Sequence, residues 1–533
     1  MLLKSRYAFS SSVKLPRNTN QALGLGQFAV DFIDGRYGDA VDPAVYKRVK
    51  QFHTDAVFCG ISALAMRTNA PTLLRTEALH YMDAAGACVF GSSTRVAPEK
   101  AIVANCAAVR EWDSNGTVFG YNKKLPGHQA GEFGHNDFYA VAVAAAQMNT
   151  HIDGKKTLRA MLLSDEIRGR LAEVFSLKTF KIDHVVHGAI ASAAVYGALM
   201  GATAEQIESA VGMLVAHYVP WRAIRAGKQL SDSKGASAAI STEAAILCMR
   251  RSMHGFMGPR DIFRNPENLF RYFVKTEGDS PFDLVLSHSG DDFSVMGMHF
   301  KLGLYEHQSA GAIQGVIDLV MKHPELLKAV SDGADAIKEI SITAYEPAFG
   351  IIGDPAKRSP TTRQSADHSM VFIVSRLLKK AADAAKAGAV FKHNDETWKQ
   401  LLLRPEDYGE EALKCKNTRQ IMDKIKFVHG GVEYDKRYPD GIPTKVDFVL
   451  SDGTRKSSGL VMYPSGHARN TSANLEDILA NKFQVLGRIA LPESELKVFG
   501  QRLENLEHLD NKELAELYNF DWHTLVHHKP IDG

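Results

Sequence analysis

The feature that most constrains the fold is the small-residue, alanine-rich character of the apolar stretches between Ala22 and Gly255. Segments such as Ala140 to Gln147 and Ala189 to Met200 lack the Val/Ile/Thr alternation of a half-buried strand, so helices are predicted throughout this region. In Gly188-Ala189-Ile190-Ala191-Ser192-Ala193-Ala194 only Ile190 is large, which suits close approach of neighbouring helices. Thr203-Ala204-Glu205-Gln206 then reads as a capping box opening the next helix, so a packed helical domain with a helical hairpin is expected.

After a stretch punctuated by Pro, Gly and Asn, Gly258 to Asp292, the pattern changes. A helix is predicted near His307 to Met321, an alternating strand over Ala336 to Tyr345, and another helix over Ser365 to Ala387. Thr444 to Leu450 and Lys456 to Tyr463 flank Ser451-Asp452-Gly453-Thr454, where Asp-Gly between alternating runs predicts a hairpin. From Asn474 the pattern is helical again. At 533 residues the chain exceeds what one core usually supports. The expectation is a mainly α protein: a large all-helical domain (22–292 and 471–533) with a smaller α+β lid domain inserted at 293–470. No internal repeat or low-complexity tract is evident.

Charge is balanced, with 63 basic against 61 acidic residues, so no global field favours nucleic acid or an anionic membrane. No apolar run reaches eighteen residues, and a soluble protein is expected. The five cysteines never form C-x-x-C or another tight cluster, which disfavours zinc and iron-sulphur sites. Residues 1–21 differ from the rest: Lys4, Arg6, Lys14 and Arg17, the run Ser10 to Ser12, and no acid before Asp31. That is the composition of a mitochondrial transit peptide, with a plain basic tail as the alternative.

Four segments carry candidate chemistry. In Arg110 to Thr117, helical spacing would put Asp113 and Thr117 on one face, with His135 arriving from Gly134-His135-Asn136-Asp137; Gly116 argues against a regular helix, costing about 1 kcal/mol relative to Ala. The bland alternative makes Asp113 a turn cap and His135 or Asn136 the cap of the next helix. In Asp183-His184-Val185-Val186-His187 the histidines suit proton transfer near neutral pH, whereas a metal site lacks the H-E-x-x-H or carboxylate-triad spacing. Arg222, Arg225 and Lys228, leading into Ser233 and Lys234, could hold a polyanion or form a solvated loop. Neither a Walker loop nor a Gly-x-Gly-x-x-Gly fingerprint is present. The last group, Lys301 to His307-Gln308-Ser309, Arg363 to His368, and Tyr463 to Arg469, acquires meaning only if a pocket gathers it.

Glu111-Trp112-Asp113 with Thr117, Gly134 to Asp137, Ser233-Lys234, Phe300-Lys301, His307-Gln308-Ser309 and Tyr463-Pro464-Ser465-Gly466-His467-Ala468-Arg469 together resemble the MmgE/PrpD family over about residues 25–491. Asp367-His368 and Tyr463 to Arg469 look most like its 2-methylcitrate dehydratase branch. The resemblance implies a helical domain closed by an α+β lid, a homodimer, and a cofactor-independent hydro-lyase site for a tricarboxylate between the domains. It places Asp113, His135 and Lys234 in the catalytic site together with a histidine of the His184/His187 pair, where relatives carry a histidine before proline. Thr117, Arg222, Arg225, Ser233, Lys301, His307 and Arg469 are then expected to bind substrate, with no metal or cofactor. The same motifs fit a cis-aconitate decarboxylase of related fold, and a non-catalytic tricarboxylate binder from a different class.

Overall fold

The structure is a computed structural model that describes residues 11–125, 134–225, 229–332, 334–526 and 528–531. Its organising element is the helix Val185–Leu199, every residue of which is buried. Such a helix must present small residues to its neighbours. A Cβ on Gly188 would meet the Phe138 ring at 1.9 Å, so the sequence of small residues sets how closely the helices pack. Helices Gln21–Ile33, Ala140–Met148, Gly154–Val174, Ala204–His217 and Asp232–Met253 pack around it. The Thr203/Gln206 capping box forms as expected, Gln206 N donating to Thr203 Oγ1 at 3.3 Å and Thr203 N to Gln206 Oε1 at 2.9 Å.

The smaller region carries a four-stranded sheet in the spatial order Arg455–Ser457, Thr444–Leu450, Ile337–Ala344, Ile425–His429. The first three strands pair antiparallel and the last runs parallel to Ile337–Ala344. The Ser451-to-Thr454 turn closes the expected hairpin, with Gly453 at φ 87°, but the second strand is only Arg455–Ser457. Ser458 Oγ then accepts from Val446 N, and pairing resumes only at Val461 opposite Thr444. Helices Ala310–Lys322 and Met370–Lys386 pack together, the first against Thr444–Leu450. The predicted helix over Ser365 to Ala387 is broken: Arg363–Ala366 ends, and Ser369 caps a new helix from Met370. That break frees Asp367 and His368 from helical geometry.

The chain then returns. Leu475–Ala490 packs along Pro43–Ala65, and Lys482, wholly buried, pairs with Asp55 at 2.6 Å while donating to the carbonyls of Ser114 and Lys301, each at 2.7 Å. One ammonium thus ties together three separate parts of the chain.

The basic composition of residues 1–21 predicts a leader or tail, yet Ser12–Leu15 pairs antiparallel with Leu284–Ser287, and Lys14 reaches Asp283 at 3.0 Å. A backbone ladder outweighs basic composition here. The folded domain therefore includes residues 12–21; Lys4 and Arg6 lie outside the described residues. No helix among the described residues is long and apolar enough to cross a membrane.

Candidate active site

Helix Pro98–Arg110 ends at the floor of a cleft, and Asp113 follows in the left-handed conformation at φ 51°. The next residues do not continue the helix. Thr117–Val118 is a short strand paired with Gly134–His135, so Thr117 lies directly opposite His135. Helical spacing from Asp113 was therefore the wrong reason for expecting these residues together; strand pairing does it. Nor does His135 or Asn136 cap the next helix, which begins after Tyr139 without a side-chain cap. Gly116 is required by close approach, since a Cβ there would lie 2.3 Å from Asn136 Oδ1 and from the Phe52 ring.

Asp113 is the electrostatic centre. Its Oδ1 accepts from Arg110 and from Lys301 Nζ, the latter at 2.6 Å, and its Oδ2 lies 2.9 Å from His368 Nε2. Burial alone would raise this carboxyl, but Arg110, Lys301, His368 and Lys234 hold it well below the usual carboxylate range. His368 Nδ1 faces Asp367 Oδ1 at 2.5 Å and Lys234 Nζ at 3.0 Å, which makes a buried chain Asp113, His368, then Asp367 and Lys234. The lid contributes His368 and Asp367, while the helical domain contributes Asp113 and Lys234. Arg363 reinforces the junction by pairing with Glu111 and lying 5.0 Å over Trp112.

The histidines stand on the other side. A bridge between Ile182 and Trp221 lays residues 221–225 against Asp183, and Arg225 pairs with that carboxylate, its Nη2 to Oδ1 at 3.1 Å. His184, at the mouth of the following helix, sits 5.6 Å from His135, ring centroid to centroid. Neither ring nitrogen of His184 or of His307 has a hydrogen-bond partner among the described residues. Burial pushes His135 and His184 well below the usual imidazole value, with Arg110 adding to the effect on His135, so both rings are neutral at pH 7.

One pocket gathers Arg110, Asp113, Thr117, His135, His184, Arg222, Arg225, Lys234, Glu306, His307, Lys357 and His368. Five cationic side chains thus face two carboxyls. Among the sequence candidates, Lys301 is absent from this wall: it is fully buried and its ammonium is committed to Asp113. His187 is set one turn into the helix, and its Nε2 bonds the Phe175 carbonyl at 2.9 Å. Ser233 is exposed beside Lys234, because side chains at successive helical positions diverge. Arg469 pairs with Asp440 and covers Tyr121 in a neighbouring depression. Lys228 lies outside the described residues. Sequence reasoning missed Arg110 and Lys357 as wall residues, and Glu306 altogether. The signal available for Glu306 was only its place before His307-Gln308-Ser309. Among the described residues no group of three or more His, Cys, Asp or Glu side chains is placed to hold a metal ion.

A helical domain and a smaller α+β region thus meet at a pocket lined by five cationic side chains. Family models describe the chain more closely: the MmgE/PrpD N-terminal domain matches residues 27–281 and the MmgE/PrpD C-terminal domain residues 306–507. The chain belongs to the MmgE/PrpD family. Its relatives include the 2-methylcitrate dehydratase of Escherichia coli K12, 24% identical over 442 residues, covering 81% of this chain and 85% of that protein. The mitochondrial 2-methylcitrate dehydratase of Yarrowia lipolytica is 24% identical over 408 residues, covering 73% and 72%. A fungal alkylcitrate dehydratase is 21% identical over 466 residues, covering 85% and 86%.

Proposed function

We propose that this chain is a mitochondrial hydro-lyase that dehydrates 2-methylcitrate to 2-methyl-cis-aconitate without a cofactor, acting as a homodimer. The observation that carries this reading is the pocket wall itself: Arg110, Arg222, Arg225, Lys234 and Lys357 surround two neutral histidines. A citrate-type trianion needs that excess of positive charge, and guanidinium forks match carboxylates geometrically. The relatives named 2-methylcitrate dehydratase support the choice of substrate, and the mitochondrial name of the Yarrowia protein supports the mitochondrial address.

Elimination requires a base for a proton beside a carboxylate and cations for the charge that accumulates. His135 and His184 are neutral bases within one pocket. Bound carboxylates raise their proton affinity, since negative charge favours imidazolium. Asp113 fixes His368 and, through it, Lys234, so the lid seats the ammonium. Lys301 and Lys482 hold the Asp113 segment from beneath.

The test offers purified protein 2-methylcitrate, citrate and cis-aconitate separately and identifies products chromatographically. Formation of 2-methyl-cis-aconitate from the first, with slower turnover of citrate, is expected. Loss of carbon dioxide from cis-aconitate as the fastest reaction would replace dehydration by decarboxylation. Binding of all three with no product would leave a non-catalytic tricarboxylate binder.

A further inference from the structure

Dehydration needs a second proton-transfer group, because hydroxide is a poor leaving group unless protonated as it departs. The pocket wall narrows the choice. Guanidinium groups do not give up protons at physiological pH, which removes Arg110, Arg222 and Arg225. Asp113 is held ionised. Lys234 is tied to His368 and Asp367. His135 and His184 carry no extra proton before the reaction.

Glu306 remains. It caps the short turn His307–Ser309, with Oε2 accepting from Gln308 N at 2.9 Å, and its own N–H donates to the Asp367 carbonyl at 2.9 Å. The side chain is therefore positioned by backbone on both sides. The charged and titratable groups facing it are Asp113, Lys301, Lys357 and, through Gln308, Tyr345. Of the cations, Lys301 is committed to Asp113, and Lys357 is only half-buried. Unlike Asp113, Glu306 has no ion-pair partner within 4 Å among the described residues, although it is only 8% exposed.

We propose that Glu306 donates the proton to the departing hydroxyl, opposite a histidine that takes the carbon-bound proton. The step balances without an oxidant or a metal. The C–H electron pair becomes the new C=C bond as a histidine nitrogen takes the proton. The C–O bond breaks toward oxygen, which takes the Glu306 proton and leaves as water. Imidazolium and carboxylate remain, and transfer of one proton through solvent restores both. Burial and the Asp113 charge push the Glu306 carboxyl up to about 8, so it carries its proton at neutral pH. The substrate's carboxylates reinforce this.

This inference rests on the dehydratase reading, and the experiment separates the two. Wild-type enzyme is first assayed with 2-methylcitrate, then Glu306→Gln and Glu306→Asp. Glu306→Gln keeps an acceptor for Gln308 N and loses the proton; a fall in kcat of at least about 100-fold is expected, with KM within about threefold. Glu306→Asp is expected to keep more activity than Glu306→Gln, which preserves the comparison should Gln unfold the site. An analogue carrying fluoride in place of the hydroxyl depends less on the acid and is expected to narrow the gap between wild type and Glu306→Gln at least tenfold. Equal kcat for wild type and Glu306→Gln, or an unchanged gap with the fluoro analogue, overturns the role of Glu306 and leaves the dehydratase reading intact. No turnover by the wild type overturns both.

Discussion

Replacing Lys482 with Met removes the single ammonium that joins helix Leu475–Ala490 to the floor of the pocket. The side chain is wholly buried, pairs with Asp55 at 2.6 Å, and donates to the Ser114 and Lys301 carbonyls at 2.7 Å. Breaking a buried pair by deleting one partner costs about 3 to 5 kcal/mol, because the other charge stays buried and alone. Each orphaned carbonyl adds about 1 kcal/mol at the low end of the range for an unsatisfied buried group. The total, about 5 to 7 kcal/mol, is comparable to the whole stability of many domains, so Lys482→Met should be poorly soluble or unfold far earlier in urea. Asp55→Asn in the same chain removes the stranded carboxylate and should recover at least about 2 kcal/mol. The assay is urea unfolding of wild type, both single variants and the double variant, read by far-ultraviolet circular dichroism. A Lys482→Met variant within 1 kcal/mol of wild type, or a double variant whose loss equals the sum of the singles, refutes the reasoning.

Other outcomes follow from the same geometry. Six buried histidines, His53, His135, His184, His299, His307 and His467, and the half-buried His368 have values depressed chiefly by burial, so between pH 6.5 and their folded values the unfolded chain binds more protons. Stability should therefore decline as pH falls below 6.5, by up to about 1.4 kcal/mol per unit for each histidine, opposed with a similar slope by Glu306 and by the other carboxyls that burial raises, Asp55, Asp137, Asp165 and Glu173; a melting temperature unchanged from pH 7 to 5 would contradict this. Since Glu306 must be protonated and a histidine neutral, kcat/KM, which reports the free enzyme, should fall above about pH 8 and show no acid limb at the ordinary imidazole value of 6.5. Arg225→Met strands Asp183 beside His184 and should raise KM for the trianion more than tenfold in steady-state assays. Gly116→Ala collides with Asn136 and Phe52 and should cost several kcal/mol in thermal unfolding, about 2 or more.

What the sequence made legible was local. Small residues in 188–194 and the Thr203/Gln206 box foretold a buried helix and the start of the next, because both depend on neighbours within a turn. Asp113, Thr117, His135, His184 and Lys234 do share a pocket, but the cause is strand pairing and an interdomain junction that no spacing rule encodes. The strand Ile425–His429 is not legible in the sequence, since it is only five residues long and exposed Val428 breaks the Ile425-Lys426-Phe427 alternation at a sheet edge. His368 enters the site only because the helix breaks at Asp367, and a cap at Ser369 is weak evidence until the break is seen. Ser233, His187 and Arg469 were drawn in by adjacency to motifs, whereas helix rotation, a backbone carbonyl and Asp440 decide where they point.

The central claim is that a cationic pocket with neutral histidines removes water from a citrate-type acid using only this chain's own side chains. It is tested most directly by incubating the purified protein with 2-methylcitrate and a strong chelator, and following the product by proton nuclear magnetic resonance. One equivalent of 2-methyl-cis-aconitate per substrate consumed is expected, at a rate unaffected by chelator and abolished in Lys234→Met. Turnover that stops with chelator and returns on adding iron, or no unsaturated acid at all, would contradict it.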